Sequence, residues 1–155
     1  MIKIGREGIS EYNLEELIWK KRQKQTSVFV MDESSLFGAL VKTNVESGLD
    51  CAVSLFESGQ ELFDSMVFDF PDVIILDFRI GFSAEPGHLT SWDIYQQIQD
   101  SADLVPLIAV TSETDERFVD QLKDLNVVAM VNKNDHDFFD QLIGTISTTL
   151  EEIKK

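Results

Sequence analysis

Five side chains able to do chemistry stand at the ends of apolar runs. Asp32 and Glu33 follow Val28-Phe29-Val30-Met31, and Asp77 follows Val73-Ile74-Ile75-Leu76. Thr111 follows Ile108-Ala109-Val110, and Lys133 comes just after Val131-Asn132. Three carboxylates drawn together would repel one another and raise at least one pKa. A hard divalent cation such as Mg²⁺ relieves that repulsion, because it takes oxygen ligands from one or two carboxylates together with water. An ammonium and a hydroxyl beside the cluster complement a phosphoryl group, the lysine as a point charge and the threonine as a neutral donor. Asp77 is the candidate centre of this chemistry. Taken singly, a strand-end aspartate has a common alternative role, capping the next turn. The chemical reading therefore depends on whether the fold gathers these residues.

The elements that must position them alternate from Ser27 onward. Ser27 to Met31 is a short apolar strand, followed by a helix from about Ser34 to Glu46 with Leu36, Leu40 and Val41 inward and Gly48 just past its end. Cys51 to Phe56 is a second strand, Ser58-Gly59 breaks it, and Gln60 to about Val67 is helical through Leu62, Phe63 and Met66. Pro71-Asp72 precedes the central strand, Val73 to Phe78, whose continuous β-branched run marks burial on both faces. Arg79 to Thr90, with glycines at 81 and 87 and Pro86, is a loop. A helix resumes at Ser91 with Trp92, Ile94, Tyr95 and Ile98. Leu104 to Val110 is the fourth strand, and a helix from Thr114 carries Phe118, Leu122 and Leu125. Val127 to Val131 is the fifth strand, and the last helix, from about Asp135, places Phe138, Leu142, Ile146, Leu150 and Ile153 on one face. Five strands alternating with five helices call for a parallel sheet covered on both sides. Right-handed crossovers then make a doubly wound α/β/α sandwich. All strand C-termini of such a sheet open on one rim, so the five residues share it.

Residues 1–26 stand outside this alternation, which divides the chain into an N-terminal extension and a domain over 27–155. Asn13-Leu14-Glu15-Glu16 starts a short amphipathic helix with Leu14, Leu17 and Ile18 on one face, and Lys20, Lys21, Arg22 and Lys24 near its end suit the helix dipole. The 28 acidic and 13 basic residues give a formal net charge of −15, which repels nucleic acid and anionic membrane and favours divalent cations and basic partners. Cys51 is the one cysteine, so no intrachain disulfide forms, and its apolar surroundings mark it as a buried structural thiol. No signal core or membrane-length apolar run occurs, and the expectation is a cytoplasmic protein. His88 and His136 lack a second ligand at metal spacing and read as surface histidines.

Met31-Asp32-Glu33, Leu76-Asp77, Val110-Thr111-Ser112 and Asn132-Lys133 fall in the order and spacing of a response-regulator receiver domain, which the chain resembles over about residues 27–155. The resemblance implies a flavodoxin-like sheet of strand order 2-1-3-4-5. It also implies phosphorylation of Asp77 by a sensor histidine kinase or phosphotransfer protein, with contacts to a downstream protein target switched by it. Asp32 and Glu33 match the acidic pair that holds Mg²⁺, and the main-chain carbonyl of Arg79 matches a further metal ligand beside Asp77. Lys133 is expected to pair with Asp77 or its phosphoryl oxygen, and Thr111 to bond the phosphoryl oxygen and draw its loop inward. A homodimer is compatible with this reading. The alternative is a degenerate receiver that binds proteins without phosphorylation.

The chain departs from the pattern in five places, one of them about Ser91, where the pattern has the glycine that opens the third helix. Gly81 stands where a proline is usual, and the loop from Arg79 to Thr90 is longer than the pattern's. Asn134 replaces a proline that is commonly cis, so a trans bond or a reshaped loop is expected there. Met130 takes the place of a switch aromatic. Arg79 and Glu113 occupy the two positions that flank the pocket in that family, where the choice is between pairing across its mouth and standing as two solvated charges. A haloacid-dehalogenase reading fails because it needs a second acid two residues after Asp77, where Arg79 stands. A flavodoxin reading lacks a phosphate loop after the first strand.

Overall fold

The computed structural model describes residues 25–79 and 87–153. Five parallel strands form one sheet in the order β2-β1-β3-β4-β5: β1 Thr26–Met31, β2 Cys51–Phe56, β3 Val73–Asp77, β4 Leu107–Thr111 and β5 Ala129–Asn132. Among the described residues five helices alternate with them: α1 Ser35–Gly48, α2 Gly59–Met66, α3 Ser91–Ser101, α4 Glu116–Lys123 and α5 Phe138–Ile153. This is the doubly wound sandwich that the alternation predicts. The N-terminal helix expected within residues 1–24 and most of the long loop lie outside the described residues.

The period-2 alternation of the strands builds two cores. Val28, Val30, Val73, Ile75, Ile108, Val110 and Val131 face α1 and α5, meeting Val41, Val45, Phe138, Leu142 and Ile146. Phe29, Met31, Ile74, Leu76, Leu107 and Ala109 face α2, α3 and α4, meeting Leu62, Met66, Ile94, Ile98, Phe118 and Leu122. Every residue of β3 is buried, as a central parallel strand requires. Side-chain oxygens start the helices: Ser34 accepts from Phe37 N–H, Ser58 from Glu61 N–H, and Asp115 from Arg117 and Phe118 N–H. Thr90 and Asp93 form a reciprocal capping box.

Several boundaries differ from the sequence expectation. The inward stripe of α1 is Gly38, Val41 and Val45, whereas Leu36 and Leu40 are 74% and 45% exposed. The stripe runs in one phase of the 3.6-residue period, and the two leucines lie off it. β4 begins at Leu107 rather than Leu104, because Pro106 has no N–H for the ladder and Leu104 projects into solvent at 92% exposure. α4 begins after its cap residue Asp115 and not at Thr114. α5 begins at Phe138, because Asp135 to Asp137 form turns, with Asp135 N–H bonded to Asn132 O and Phe138 N–H to Asp135 O. β5 is shorter than expected and starts at Ala129. Ile153 is 48% exposed and leaves the α5 stripe near its end.

Gly59 is where α2 meets the start of α3 most closely. A Cβ there would lie 2.7 and 2.9 Å from Ile94 side-chain carbons and 3.0 Å from Leu89 Cδ1. A Cβ on Gly38, in α1, meets only Leu55, at 3.6 Å and beyond. Gly59→Ala is therefore expected to destabilise by about 1–3 kcal/mol through overpacking. Gly38→Ala is expected to be neutral or stabilising by up to about 1 kcal/mol, because alanine is the better helix former. Thermal unfolding of the two variants tests this, and equal melting temperatures would refute the packing argument.

Candidate phosphoacceptor site

Register and pleat together place the acidic residues. Met31 is aligned with Leu76, so Asp32 and Asp77, one residue further along each strand, come side by side. Both continue the alternation of Val30 and Ile75, so both fall on the α1/α5 side of the sheet. Lys133 continues the alternation of Val131 and falls on that side too. Its Nζ lies 2.7 Å from Asp32 Oδ2 and 2.9 Å from Asp77 Oδ1, bridging the two carboxylates. Asp32 is 4% and Asp77 5% exposed, so this bridge is shielded from solvent. The ammonium also lies 4.1 Å from the centre of the Phe37 ring, a cation–π contact from α1. Asp32 Oδ1 accepts Ser34 N–H at 2.8 Å, and Ser91 Oγ donates to Asp77 O at 2.8 Å, so both acidic strand ends are held from outside their own strands.

A second ion cluster closes the outer side. Arg79 Nη1 pairs with Glu33 Oε2, and Arg79 Nε lies 3.7 Å from Asp77 Oδ2. His88 Nε2 stands 3.4 Å from Glu33 Oε1. Of the two options open to Arg79, a pair with Glu113 or a solvated charge, the structure shows neither; its partners are Glu33 after β1 and Asp77 at the end of β3. Thr111 continues the alternation of Leu107 and Ala109 and so belongs to the opposite side of the sheet from Asp77. Its hydroxyl donates to Phe78 O at 2.8 Å and accepts from Glu113 N–H at 3.1 Å.

No protein-family model matches the chain. Over 93 residues, 60% of the chain, it is 30% identical to the DNA-binding transcriptional regulator NtrC of Klebsiella pneumoniae, and the match spans only 18% of that relative. Among solved structures it is similar to the response regulator DrrB of Thermotoga maritima, an OmpR/PhoB homolog, with a TM-score of 0.67 and 17% identity over 85% of this chain and 55% of that one. It is also similar to the signal receiver domain of a signal transduction histidine kinase from Syntrophus aciditrophicus, with a TM-score of 0.69 and 17% identity over 84% of this chain and 93% of that one. A response regulator receiver protein from Pseudomonas putida gives a TM-score of 0.67 and 16% identity over 81% of this chain and 98% of that one. The fold is that of a response-regulator receiver domain.

In this receiver fold the sequence-expected residues Asp32, Glu33, Asp77, Arg79 and Lys133 come together in one connected set of ion pairs. Thr111 stands apart from that set, turned toward Phe78. Sequence reasoning missed Phe37, Ser91 and the approach of His88 to Glu33. Each depends on contacts between segments distant in the chain, and none follows a motif. Among the described residues no helix is long and apolar enough to cross a membrane.

The donor set fits a hard cation in kind, since it offers carboxylate oxygens in a pocket short of positive charge. Burial raises the Asp77 carboxyl from 3.8 to about 6, with Lys133 opposing the shift and the neighbouring Asp32 adding to it. Among the described residues no three acidic, histidine or cysteine side chains are gathered as an ion-holding group. Here Glu33 is engaged by Arg79, and Lys133 sits between the other two carboxylates.

The raised carboxyl has a consequence for stability. Protonated Asp77 is favoured by the fold, so its contribution is fully present below about 3.8 and is lost as pH rises through about 6. Asp77→Asn removes that loss. The variant is expected to exceed the wild type by on the order of 1–3 kcal/mol at pH 8 and to lose this advantage as pH falls toward 4. Urea unfolding of both proteins across pH 4–8 measures it, and a difference independent of pH would contradict the assignment.

Proposed function

We propose that the chain is a phosphoacceptor receiver that takes a phosphoryl group on Asp77 from a histidine kinase or phosphotransfer protein and passes the signal on by protein contacts. The observation that carries this reading is the Lys133 ammonium, held between Asp32 and Asp77 on the C-terminal rim of a 2-1-3-4-5 sheet. An Asp77 carboxylate oxygen attacks the phosphorus of a phosphohistidine in line. The P–N bond breaks as the P–O bond forms, the imidazole leaves with the bonding pair, and an acyl phosphate remains on Asp77. Lys133 neutralises charge on the phosphoryl oxygens, and the Thr111 hydroxyl, once released from Phe78, supplies a neutral donor to one of them. Asp32, Glu33, Asp77 and the main-chain carbonyl of Arg79 are the groups that would hold Mg²⁺, which when bound offsets the negative charge of the acidic cluster and the phosphoryl group. Positioning and charge neutralisation supply most of the catalysis in such a transfer.

The −15 net charge supports a protein target or donor with a basic face and argues against direct nucleic-acid contact. Location in the cytoplasm and self-association belong to the same proposal.

The test is incubation with Mg²⁺ and radiolabelled acetyl phosphate. Wild type is expected to become labelled, Asp77→Asn to stay unlabelled, and Lys133→Ala and Thr111→Ala to label at least tenfold more slowly. Because attack requires the ionised carboxylate, the wild-type rate is expected to rise with pH and to level off once the carboxyl, at about 6 in the metal-free pocket, is ionised. Equal labelling of wild type and Asp77→Asn would overturn Asp77 as acceptor. Absence of any Mg²⁺-dependent labelling would leave a domain that only binds.

A further inference from the structure

The loop that follows Thr111 is tied to the loop that carries Lys133 by two asparagine side chains. Asn134 Nδ2 donates to Ser112 O at 2.7 Å, and Asn132 Nδ2 donates to Glu113 O at 3.2 Å. The two asparagines are themselves joined, since Asn134 N–H donates to Asn132 Oδ1 at 2.8 Å. That last bond needs an amide hydrogen that a proline at 134 would lack. Beneath them, Lys133 N–H donates to Thr111 O at 2.7 Å. Lys133 is in turn fixed by its buried carboxylate partners, so the asparagines anchor the Thr111 loop to a point that cannot easily move.

Thr111 starts on the opposite side of the sheet from Asp77, with its hydroxyl donating to Phe78 O and accepting from Glu113 N–H. To give its hydrogen to a phosphoryl oxygen on Asp77 it must release Phe78. Turning the side chain alone would also deprive the Glu113 N–H of its acceptor. The main chain at 112 and 113 therefore has to move with it, and those are the residues whose carbonyls the asparagines hold. We infer that Asn132 and Asn134 form a clasp that holds Thr111 in the resting arrangement and so sets how tightly the domain takes a phosphoryl group. They are positioning residues, acting through Thr111. The inference rests on the proposed role of Asp77 and Thr111.

Bonds present only in the resting arrangement weaken apparent affinity for a ligand that selects the other one. One such bond is worth roughly two- to tenfold in an equilibrium constant. Asn134→Leu keeps the approximate shape of the side chain without its donor, and Asn134→Ala and Asn132→Ala shorten it. Binding of beryllofluoride in the presence of Mg²⁺, measured by titration calorimetry on the full chain, is expected to tighten roughly two- to tenfold in each. In a Thr111→Ala background the same substitutions are expected to change nothing, an outcome that general loosening of the loop would not produce. Melting temperatures confirm that each variant is folded. Unchanged or weaker binding in the Asn134 variants, or a gain that persists without Thr111, would overturn the clasp while leaving the receiver reading intact. Failure of the wild type to bind the mimic would overturn both.

Discussion

Two carboxylates almost out of contact with water share one ammonium, and the rest of the site is arranged around that fact. Asp32 and Asp77 are 4% and 5% exposed, and Lys133 reaches them from 101 and 56 residues away in sequence. Burying such charges costs several kcal/mol per ion unless the geometry returns it. Here the return comes from three strands held in fixed register, from the Ser34 N–H on Asp32, and from the Phe37 ring under the ammonium. It is incomplete: burial, with the neighbouring Asp32 adding to it, outweighs Lys133 and Arg79, and the Asp77 carboxyl stays raised to about 6. A pocket left short of positive charge sets the terms for whatever enters it. Coulomb's law makes the entry of an uncompensated anion there costly.

The alternation of strands and helices, and hence the sandwich, was legible because each strand is a short, largely apolar run bounded by turn residues. The rim residues were legible for the same reason, since the C-terminal end of a parallel strand is a topological position and follows from element order alone. What the sequence hid was phase and reach. Leu36 and Leu40 look like core on α1, yet the buried stripe runs through Gly38, Val41 and Val45, because the face that α1 turns to the sheet is set by packing and not by which positions are apolar. Arg79 has acids in reach on two sides, and the choice of Glu33 depends on the three-dimensional path of the chain after Asp77. Phe37 and Ser91 carry no motif, and their roles come from where α1 and α3 begin.

The pleat divides the site into two halves that cannot communicate through the sheet itself. Asp32, Asp77 and Lys133 continue the α1/α5 face, while Thr111 and Phe78 continue the face covered by α2, α3 and α4. With β3 buried along its whole length, an in-place rotation of that strand would expose one apolar core while overfilling the other, so the sheet is a fixed partition. Any exchange between the halves must pass over the rim, through the loops after β4 and β5, where polar groups have alternative partners. Thr111 is well placed for such an exchange because both functions of its hydroxyl are already satisfied in the resting arrangement, one by a carbonyl and one by an N–H. A hydroxyl with two good partners changes them only when a stronger acceptor appears. A charged phosphoryl oxygen is such an acceptor, since hydrogen bonds to ionised groups are about twice as strong as those to neutral carbonyls. On the reading proposed for Asp77, the low charge balance on one face and the fully bonded threonine on the other are two sides of one device. The first makes the arrival of a phosphoryl group costly without cations, and the second makes its presence, once there, felt across the sheet.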